Sequence, residues 1–263
     1  MRVPSRRPKR NSARDLALVL LCLALGACAS AAPPAPLAPE VEGTRARLED
    51  GWRSFGDLRT LTDITIQQGG RSQRLSGVLL LKAPASFRFE ALTPFGPPLL
   101  VVAGSPESVT VWEVLANRAY LLPSTPDANR RWLGLALSAE DLVALLAGHV
   151  RPMRAPRTGS LLPPDETGPS LRLSGREGTQ RIWLGATDRP VKVEWTEGKS
   201  PLRVTFTRGE DGVTAPPREI RLQTLDGKLE VTVVYREPRL DTGLDAALLS
   251  LTVPQGVEIQ DFR

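Results

Sequence analysis

The chain has 263 residues, with 34 lysines and arginines against 29 acids and a formal net charge of +5. The first 27 residues hold six of the basic residues and one of the acids, which leaves 28 of each sign in the remainder. The remainder is therefore neutral, and we expect no nucleic-acid partner for it.

The N-terminus has the charge and hydropathy order of an export signal. Six basic residues precede an apolar run of twelve residues, Leu16 to Ala27. At about 1.5 Å rise per residue such a helix reaches about 18 Å, short of the roughly 30 Å hydrocarbon layer of a bilayer. The run is therefore predicted to be a temporary signal rather than a transmembrane helix.

The signal ends in Leu25, Gly26, Ala27 and Cys28, an order that resembles the lipobox of bacterial lipoproteins. In that class the cysteine is acylated and becomes N-terminal after cleavage. An Asp after the cysteine tends to retain such proteins in the inner membrane, and here Ala29 follows. The resemblance implies a lipid anchor in the outer membrane, with the protein facing the periplasm. The alternative is a plain secretory signal cut after a small-x-small site, with Cys28 incidental.

The chain divides into three predicted parts. Residues 1–27 are the signal peptide, residues 28–40 hold the lipidated cysteine and an Ala/Pro tether, and residues 41–263 form one domain. About 220 residues are enough for a single domain with a sizeable core. Cys22 leaves with the signal, so the mature chain keeps one cysteine and no internal disulfide is expected.

The periodicity of the domain predicts two helices among many short strands. An amphipathic helix spans Val41 to Phe55, and Ser138 begins a second helix whose apolar stripe ends at Gly148. Residues 151–168 are rich in Pro, Gly and Arg and are predicted to be a surface loop. Strands are predicted at 64–66, 75–81, 87–91, 99–103, 109–115, 119–122, 171–173, 182–184, 191–195, 202–206, 220–225 and 229–235.

This pattern predicts a mainly β fold, a single curved antiparallel sheet of about 11–12 strands. A closed barrel and an unclosed barrel both fit the residues. A barrel of so many strands is too wide for its own side chains to fill, so a cavity is expected unless something plugs it. The two apolar-faced helices are available to cover its opening.

Three segments of the sequence carry a family resemblance: a strand, Pro-apolar-Gly loop and strand at 86–102, a short helix at 133–148, and an apolar-x-x-Pro-x-Gly-Val ending within 248–259. Together they resemble the LolA/LolB lipoprotein-localisation family, and most closely the LolB-like outer-membrane lipoproteins, in which the helix is lid-like. The resemblance implies an unclosed β-barrel with a short helical lid and an apolar cavity for acyl chains. It also implies that lipoproteins arrive from a periplasmic LolA-like carrier and are released into the outer membrane.

The resemblance further implies a membrane-insertion loop at Pro94, Phe95 and Gly96. Phe95 stands where LolB-like proteins usually have Leu, and two more prolines follow. The flanking Pro and Gly force a turn, which favours an exposed Phe95 over one folded back into the core.

Apolar residues of the predicted strands and helices are candidates for the cavity and its lid. The candidate cavity residues are Leu79, Leu81, Phe87, Phe89, Val111 and Trp112, and the candidate lid residues are Trp52, Phe55, Leu142, Leu145 and Leu146. Each also has an ordinary interpretation, because a barrel interior needs apolar residues whatever it binds and helices pack tightly for structural reasons alone.

An enzyme is poorly supported by the sequence. His149 is the single histidine and follows Gly148 at a helix end, and we find no Gly-x-Ser-x-Gly, clustered metal ligands or phosphate loop. We expect no cofactor and no metal. The expected partners are lipoprotein acyl chains, a LolA-like carrier and outer-membrane lipid, with the protein a monomer. The alternative function is a non-transporting lipid- or lipoprotein-binding sensor or adaptor of the cell envelope, because it needs the same apolar concavity.

Overall fold

The computed structural model describes residues 36–94, 97–185, 187–197, 201–209 and 215–263. Cys28 and the predicted signal therefore lie outside the described residues, as do Phe95 and Gly96 of the predicted insertion loop. No helix within the described ranges combines the length and the apolar composition needed to cross a bilayer.

Helix α1 (Pro39–Arg53) begins two residues before the predicted amphipathic segment. A proline in the first turn is tolerated because the N–H it lacks would have no partner inside the helix. Val41, Leu48 and Trp52 are buried along one side of the helix, as the apolar spacing predicts.

The described residues contain fourteen strands. Two turns between neighbouring strands adopt the left-handed backbone that Asn and Asp tolerate, with φ of 49° at Asn117 and 56° at Asp188. The strands are β1 (Asp57–Gln68), β2 (Arg71–Lys82), β3 (Ser86–Ala91), β4 (Leu100–Gly104), β5 (Ser108–Glu113), β6 (Arg118–Pro123), β7 (Thr158–Asp165), β8 (Gly168–Gly175), β9 (Gly178–Leu184), β10 (Pro190–Thr196), β11 (Leu202–Thr207), β12 (Glu219–Thr224), β13 (Leu229–Leu240) and β14 (Glu258–Asp261).

All fourteen strands belong to one sheet in the order β14-β6-β5-β4-β3-β2-β1-β13-β12-β11-β10-β9-β8-β7. Neighbouring strands are antiparallel except β14, which runs parallel to β6. Strands β14 and β7 stand at the two ends of this order, so the curved sheet does not close into a barrel. The predicted mainly β class and the unclosed sheet are confirmed.

Two strands lie outside the predicted set, and each has a physical reason for having been missed. Strand β7 falls within residues 151–168, which the sequence predicts to be a loop. It contains Pro163 and Pro164, has a register irregularity between Leu162 and Asp165, and forms an edge, where prolines are tolerated. Strand β14 has four residues, none of them buried, so it lacks the alternation of buried and exposed residues that would predict a strand.

Helix α2 (Pro126–Leu133) was also not predicted, although its capping signals are present. The Thr125 hydroxyl accepts a hydrogen bond from the N–H of Ala128 at 3.2 Å, and Gly134 ends the helix with φ of 75°. The predicted second helix is confirmed as α3 (Ala139–Leu146).

The two faces of the sheet are covered by different parts of the chain. The concave face carries the main hydrophobic core, with α1 packed against β7 and β8 and α3 packed against β2 and β3. The outer face is crossed by residues 241–257, which we call the C-terminal strap. The strap contains a 3₁₀ helix (Ala246–Leu249) that packs against β3, and its main-chain oxygens at Leu244 and Ser250 accept hydrogen bonds from Lys82 and Arg88.

Candidate binding surface on the concave face

Four of the predicted cavity residues meet on the concave side of β2 and β3. Antiparallel pairing places Leu79 opposite Phe89 and Leu81 opposite Phe87, and directly opposed residues share a face of the sheet. Their exposed fractions are 7% or less. The period of two along each strand thus brings the four side chains into one apolar patch.

The apolar patch extends across β4 and β5. Phe89 stands opposite Val102, and Val102 stands opposite Val111, which packs half-buried against the core. Phe87 stands opposite Gly104, where an added Cβ would lie 2.1 Å from the phenyl ring. The absence of a side chain at Gly104 therefore leaves room for the Phe87 ring.

Trp112 lies on the outer face, away from the other five candidate cavity residues. It follows Val111 directly, and successive side chains of a strand point to opposite faces. Its partners on the neighbouring strands are Val101 on β4 and Ala119 on β6, and Val101 in turn pairs with Glu90 on β3. The register therefore corrects the prediction that Trp112 lines the same cavity as Val111, because the two side chains lie on opposite faces of the sheet.

Helix α3 supplies the predicted lid residues Leu142, Leu145 and Leu146. Leu145 is buried, and Leu142 and Leu146 are half-buried against the core. The helix starts at Ser138, whose hydroxyl accepts a hydrogen bond from the N–H of Asp141 at 3.0 Å. Although the helix is short, its apolar residues follow the 3.6-residue period. Ala and Leu lie on the side that faces the core and also on the flanks of that side.

Both ends of α3 are tied down by charged or polar side chains. Arg151 forms ion pairs with Glu140 at 2.8 Å and Asp141 at 2.6 Å near the helix start. At the other end the Tyr235 hydroxyl donates to the carbonyl oxygen of Leu146 at 2.6 Å. Burial raises the pKa of Tyr235, so the hydroxyl stays protonated. The helix is therefore held in place against the sheet rather than merely resting on it.

The remaining predicted lid residues, Trp52 and Phe55, lie at the end of α1 and contact His149, three residues after the end of α3. Their rings stack with centroids 5.6 Å apart, and each centroid lies 6.0 Å from that of His149. The structure therefore joins the end of α1 to the end of α3 through one imidazole.

The environment of His149 keeps the imidazole neutral at neutral pH. Burial, with a smaller contribution from the positive charges of Arg189 and Arg208, lowers its pKa from 6.5 to about 4. The neutral ring packs against the stacked pair of Trp52 and Phe55 and so contributes to the contact between the ends of α1 and α3. Within the described ranges, no three His, Cys, Asp or Glu side chains gather in a way that would hold a metal ion.

The stems of the predicted insertion loop carry exposed apolar side chains. Leu92 and Leu99 are 47% and 37% exposed, and Pro94 is exposed between them. The hydroxyl of Thr93 donates to the carbonyl oxygen of Pro97 at 3.0 Å, which closes the loop across its base. Phe95 and Gly96 lie outside the described residues, so the apolar character established for this loop is that of its stems.

Two contributions to the site were missed by the sequence interpretation. Tyr235 was placed in a strand but not linked to the lid, although a lone phenol within the alternation of Val231 and Val233 was a usable signal. Arg189 and Arg208 carried no signal, since charged residues at strand ends are ordinary.

A scan against protein-family models finds no match, and a search of curated proteins finds none. Solved structures do match in fold. A putative outer membrane lipoprotein-sorting protein domain from Vibrio parahaemolyticus aligns with a TM-score of 0.55 and 14% identity over 80% of this chain and 95% of that chain. A LolA superfamily protein from Nitrosomonas europaea aligns with a TM-score of 0.50 and 11% identity over 80% and 97% of the two chains.

A DUF1329 family protein from Desulfovibrio piger also aligns, with a TM-score of 0.58 and 13% identity over 83% of this chain and 98% of that chain. Identities this low establish a shared fold and no more. The chain thus has a LolA-like open-barrel fold.

Proposed function

We propose that this protein binds the acyl chains of lipoproteins on its concave face and helps insert them into the outer membrane. The observation that carries the proposal is the apolar patch across β2 to β5, whose part on β2 and β3 is covered by the short helix α3 rather than by a second sheet. Displacement of this eight-residue helix would break the Tyr235 hydrogen bond and bury less apolar surface, but it would break no strand pairing, so it costs less than opening a sheet.

The energetics of lipid transfer explain why an apolar site suffices. Moving an acyl chain of about 16 carbons into water costs roughly 13 kcal/mol at about 0.8 kcal/mol per CH₂. Passage from a carrier's apolar site to this one exchanges similar environments and needs little net free energy. The bilayer is then a favourable final environment, so no covalent step and no nucleotide are required.

The insertion step is assigned to the loop between β3 and β4, at Pro94, Phe95 and Gly96. The exposed leucines on its stems support a loop that enters the headgroup region of a bilayer. Acylation at Cys28 would hold the domain at the outer-membrane surface on the Ala/Pro tether. The proposal is specifically LolB-like: a monomer that takes its cargo from a periplasmic LolA-like carrier.

A transfer assay with a soluble form of the protein tests this proposal. A Cys28→Ser variant without the signal is incubated with a lipoprotein held by a LolA-like carrier, in the presence of liposomes. Movement of the lipoprotein to the liposomes is the expected result. The same cargo lacking its acylated cysteine is the control, and it should not be captured.

Two other outcomes of the assay separate the competing functions. Stable capture of the acylated cargo without release to liposomes would support the non-transporting sensor or adaptor. Failure to bind acylated cargo at all would remove both functions.

A further inference from the structure

Two arginine side chains share one main-chain acceptor at a rim of the sheet. Arg189 precedes β10 and Arg208 follows β11. A terminal nitrogen of Arg189 donates to the carbonyl oxygen of Ala215 at 3.1 Å, and a terminal nitrogen of Arg208 donates to the same oxygen at 3.3 Å. The two guanidinium groups therefore lie side by side, in an arrangement that we call the arginine pair.

The arginine pair has no carboxylate partner in the part of the chain that the structure describes. Asp188, the acid next to Arg189, is bound to Arg47 at 2.9 Å. The acids that follow Arg208, Glu210 and Asp211, lie outside the described residues. Arg151, by contrast, has two carboxylate partners, so the fold neutralises other half-buried arginines. Two adjacent cations that are partly removed from water repel each other, and a bound anion would relieve that repulsion.

The hydrogen-bond donors of the two guanidinium groups also indicate that an acceptor is absent. One terminal nitrogen of Arg208 donates to the carbonyl oxygens of Gly148 and Pro190, at 3.0 Å and 3.3 Å. Its Nε is buried and has no hydrogen-bond partner among the described residues. A guanidinium group carries five N–H donors, so both arginines retain unused donors at this rim.

Capping of α3 accounts for part of this arrangement. The carbonyl oxygen of Gly148 follows the end of α3, and a cation near a helix C-terminus is stabilising. Capping explains the nitrogen of Arg208 that contacts Gly148. It explains neither the second cation at Arg189 nor the unpartnered Nε.

Burial and neighbouring positive charge both act on the titratable groups at this rim. Burial, together with the charge of Arg189, lowers the pKa of Arg208 to about 10. Burial also lowers the pKa of Arg189. The same two arginines help to lower the pKa of His149, after burial. A bound anion would shift all three groups back toward their protonated forms.

We propose that the arginine pair binds an oxyanion of the phosphate class. Two guanidinium groups that approach from different strands match the several oxygens of a tetrahedral phosphate better than a single planar carboxylate. The ligand is either inorganic phosphate or the phosphate of a lipid headgroup. This site does not depend on acyl-chain binding, because none of its residues belongs to the apolar patch on β2 to β5.

His149 makes the proposal directly testable, because it is the single histidine of the chain. Its imidazole signals in a proton NMR spectrum need no further assignment. The Cys28→Ser protein without its signal is titrated with inorganic phosphate, and separately with a short-chain phosphatidylglycerol below its micelle concentration. Saturable shifts and a higher pKa of His149 in the bound form are the expected results.

Matched variants decide whether the arginine pair is responsible. Arg189→Gln should weaken binding at least about tenfold, whereas Arg74→Gln, at an exposed arginine of β2, should leave binding unchanged. Arg208→Lys keeps the charge and the helix cap but removes Nε, and it should also weaken binding. Isothermal titration gives the affinities independently of NMR.

The two titrations distinguish the source of the phosphate group. Tighter binding of the phospholipid than of inorganic phosphate assigns the site to a lipid headgroup, and equal or weaker binding assigns it to a soluble oxyanion. Absence of saturable binding for both probes would overturn the proposal, as would unchanged affinity in Arg189→Gln.

Discussion

The hydroxyl of Tyr235 lies 2.6 Å from the carbonyl oxygen of Leu146 and donates a hydrogen bond to it. Tyr235 projects from β13, near the middle of the strand order, and Leu146 is the last residue of α3. A single hydrogen bond between residues 89 positions apart therefore links the centre of the sheet to the helix that packs on β2 and β3.

Removal of this bond should loosen α3. Tyr235→Phe keeps the ring but leaves a buried carbonyl oxygen without its donor, so we expect a loss of about 1–2 kcal/mol of unfolding free energy in urea titrations. Amide hydrogen exchange in α3 should also accelerate. Tyr120→Phe is the matched control, since its hydroxyl makes a longer 3.3 Å bond to Glu113 in a half-buried position. Equal losses in the two variants would contradict this role for Tyr235.

Asp57 anchors the C-terminal strap through four hydrogen bonds. One carboxylate oxygen accepts from the N–H and the hydroxyl of Thr242, at 2.8 Å and 2.7 Å. The other accepts from the N–H groups of Gly243 and Leu244, at 2.9 Å and 3.0 Å. Asp57→Asn should destabilise the fold by on the order of 3 kcal/mol in urea titrations, because an amide nitrogen would face N–H donors. Asp63→Asn, at a half-exposed position of the same strand, should change stability by less than about 1 kcal/mol.

The Asp57 anchor should also make stability fall in acid. Burial alone would raise the pKa of Asp57, but the hydrogen bonds from the Thr242 hydroxyl and the three N–H groups outweigh it and lower the pKa. The stabilisation is therefore complete above the unfolded-state pKa of about 4 and is lost as the pH falls through the lower folded-state pKa. Urea titrations across this range should show a flatter pH dependence for Asp57→Asn than for the unaltered protein.

His149 should add a second pH dependence at higher pH. Its folded-state pKa of about 4 lies below the ordinary value of 6.5, so the unfolded chain takes up a proton first as the pH falls. This group's effect on stability is absent above about pH 6.5 and becomes destabilising between that pH and about pH 4. NMR titration of the single imidazole measures the pKa. His149→Phe retains a ring against Trp52 and Phe55 and should remove this part of the pH dependence.

Adjacent positions on β5 allow a test of which face of the sheet meets the acyl chain. A photo-crosslinking residue at Val111 should capture an acylated lipoprotein, because this side chain lies on the concave face. The same residue at Trp112 lies on the outer face and serves as the control. Capture from position 112 that equals or exceeds capture from position 111 would rule out the concave face as the binding surface.

The predicted insertion loop is tested at its tip. Phe95→Glu should slow delivery of lipoprotein to liposomes while leaving the midpoint of thermal unfolding nearly unchanged, because a charge disfavours entry into the headgroup region. Leu115→Glu introduces the same charge at a side chain that is 72% exposed in another turn, and it should not affect delivery. A large drop in the thermal midpoint of Phe95→Glu would instead identify Phe95 as a core residue.

Local patterns predicted much of the fold. Alternation predicted the strands that pair Leu79 with Phe89, and the cap at Ser138 with its apolar stripe predicted α3. These features are encoded within ten to fifteen residues, so no knowledge of distant contacts is needed to find them. Strand β7 was not predicted, because its two prolines and exposed edge position remove the alternation of apolar and polar residues on which the prediction depends.

The sequence by itself predicted twelve of the fourteen described strands and the helices α1 and α3, and its alternation assigns Val111 and Trp112 to opposite faces once the register is known. Only the tertiary structure decided which distant groups meet: Tyr235 with Leu146, Asp57 with a strap 185 residues away, and Arg189 with Arg208. The physical reason is that strand order and register determine which distant residues come into contact. Both follow from packing of the whole sheet, whereas side-chain alternation is a property of each strand alone.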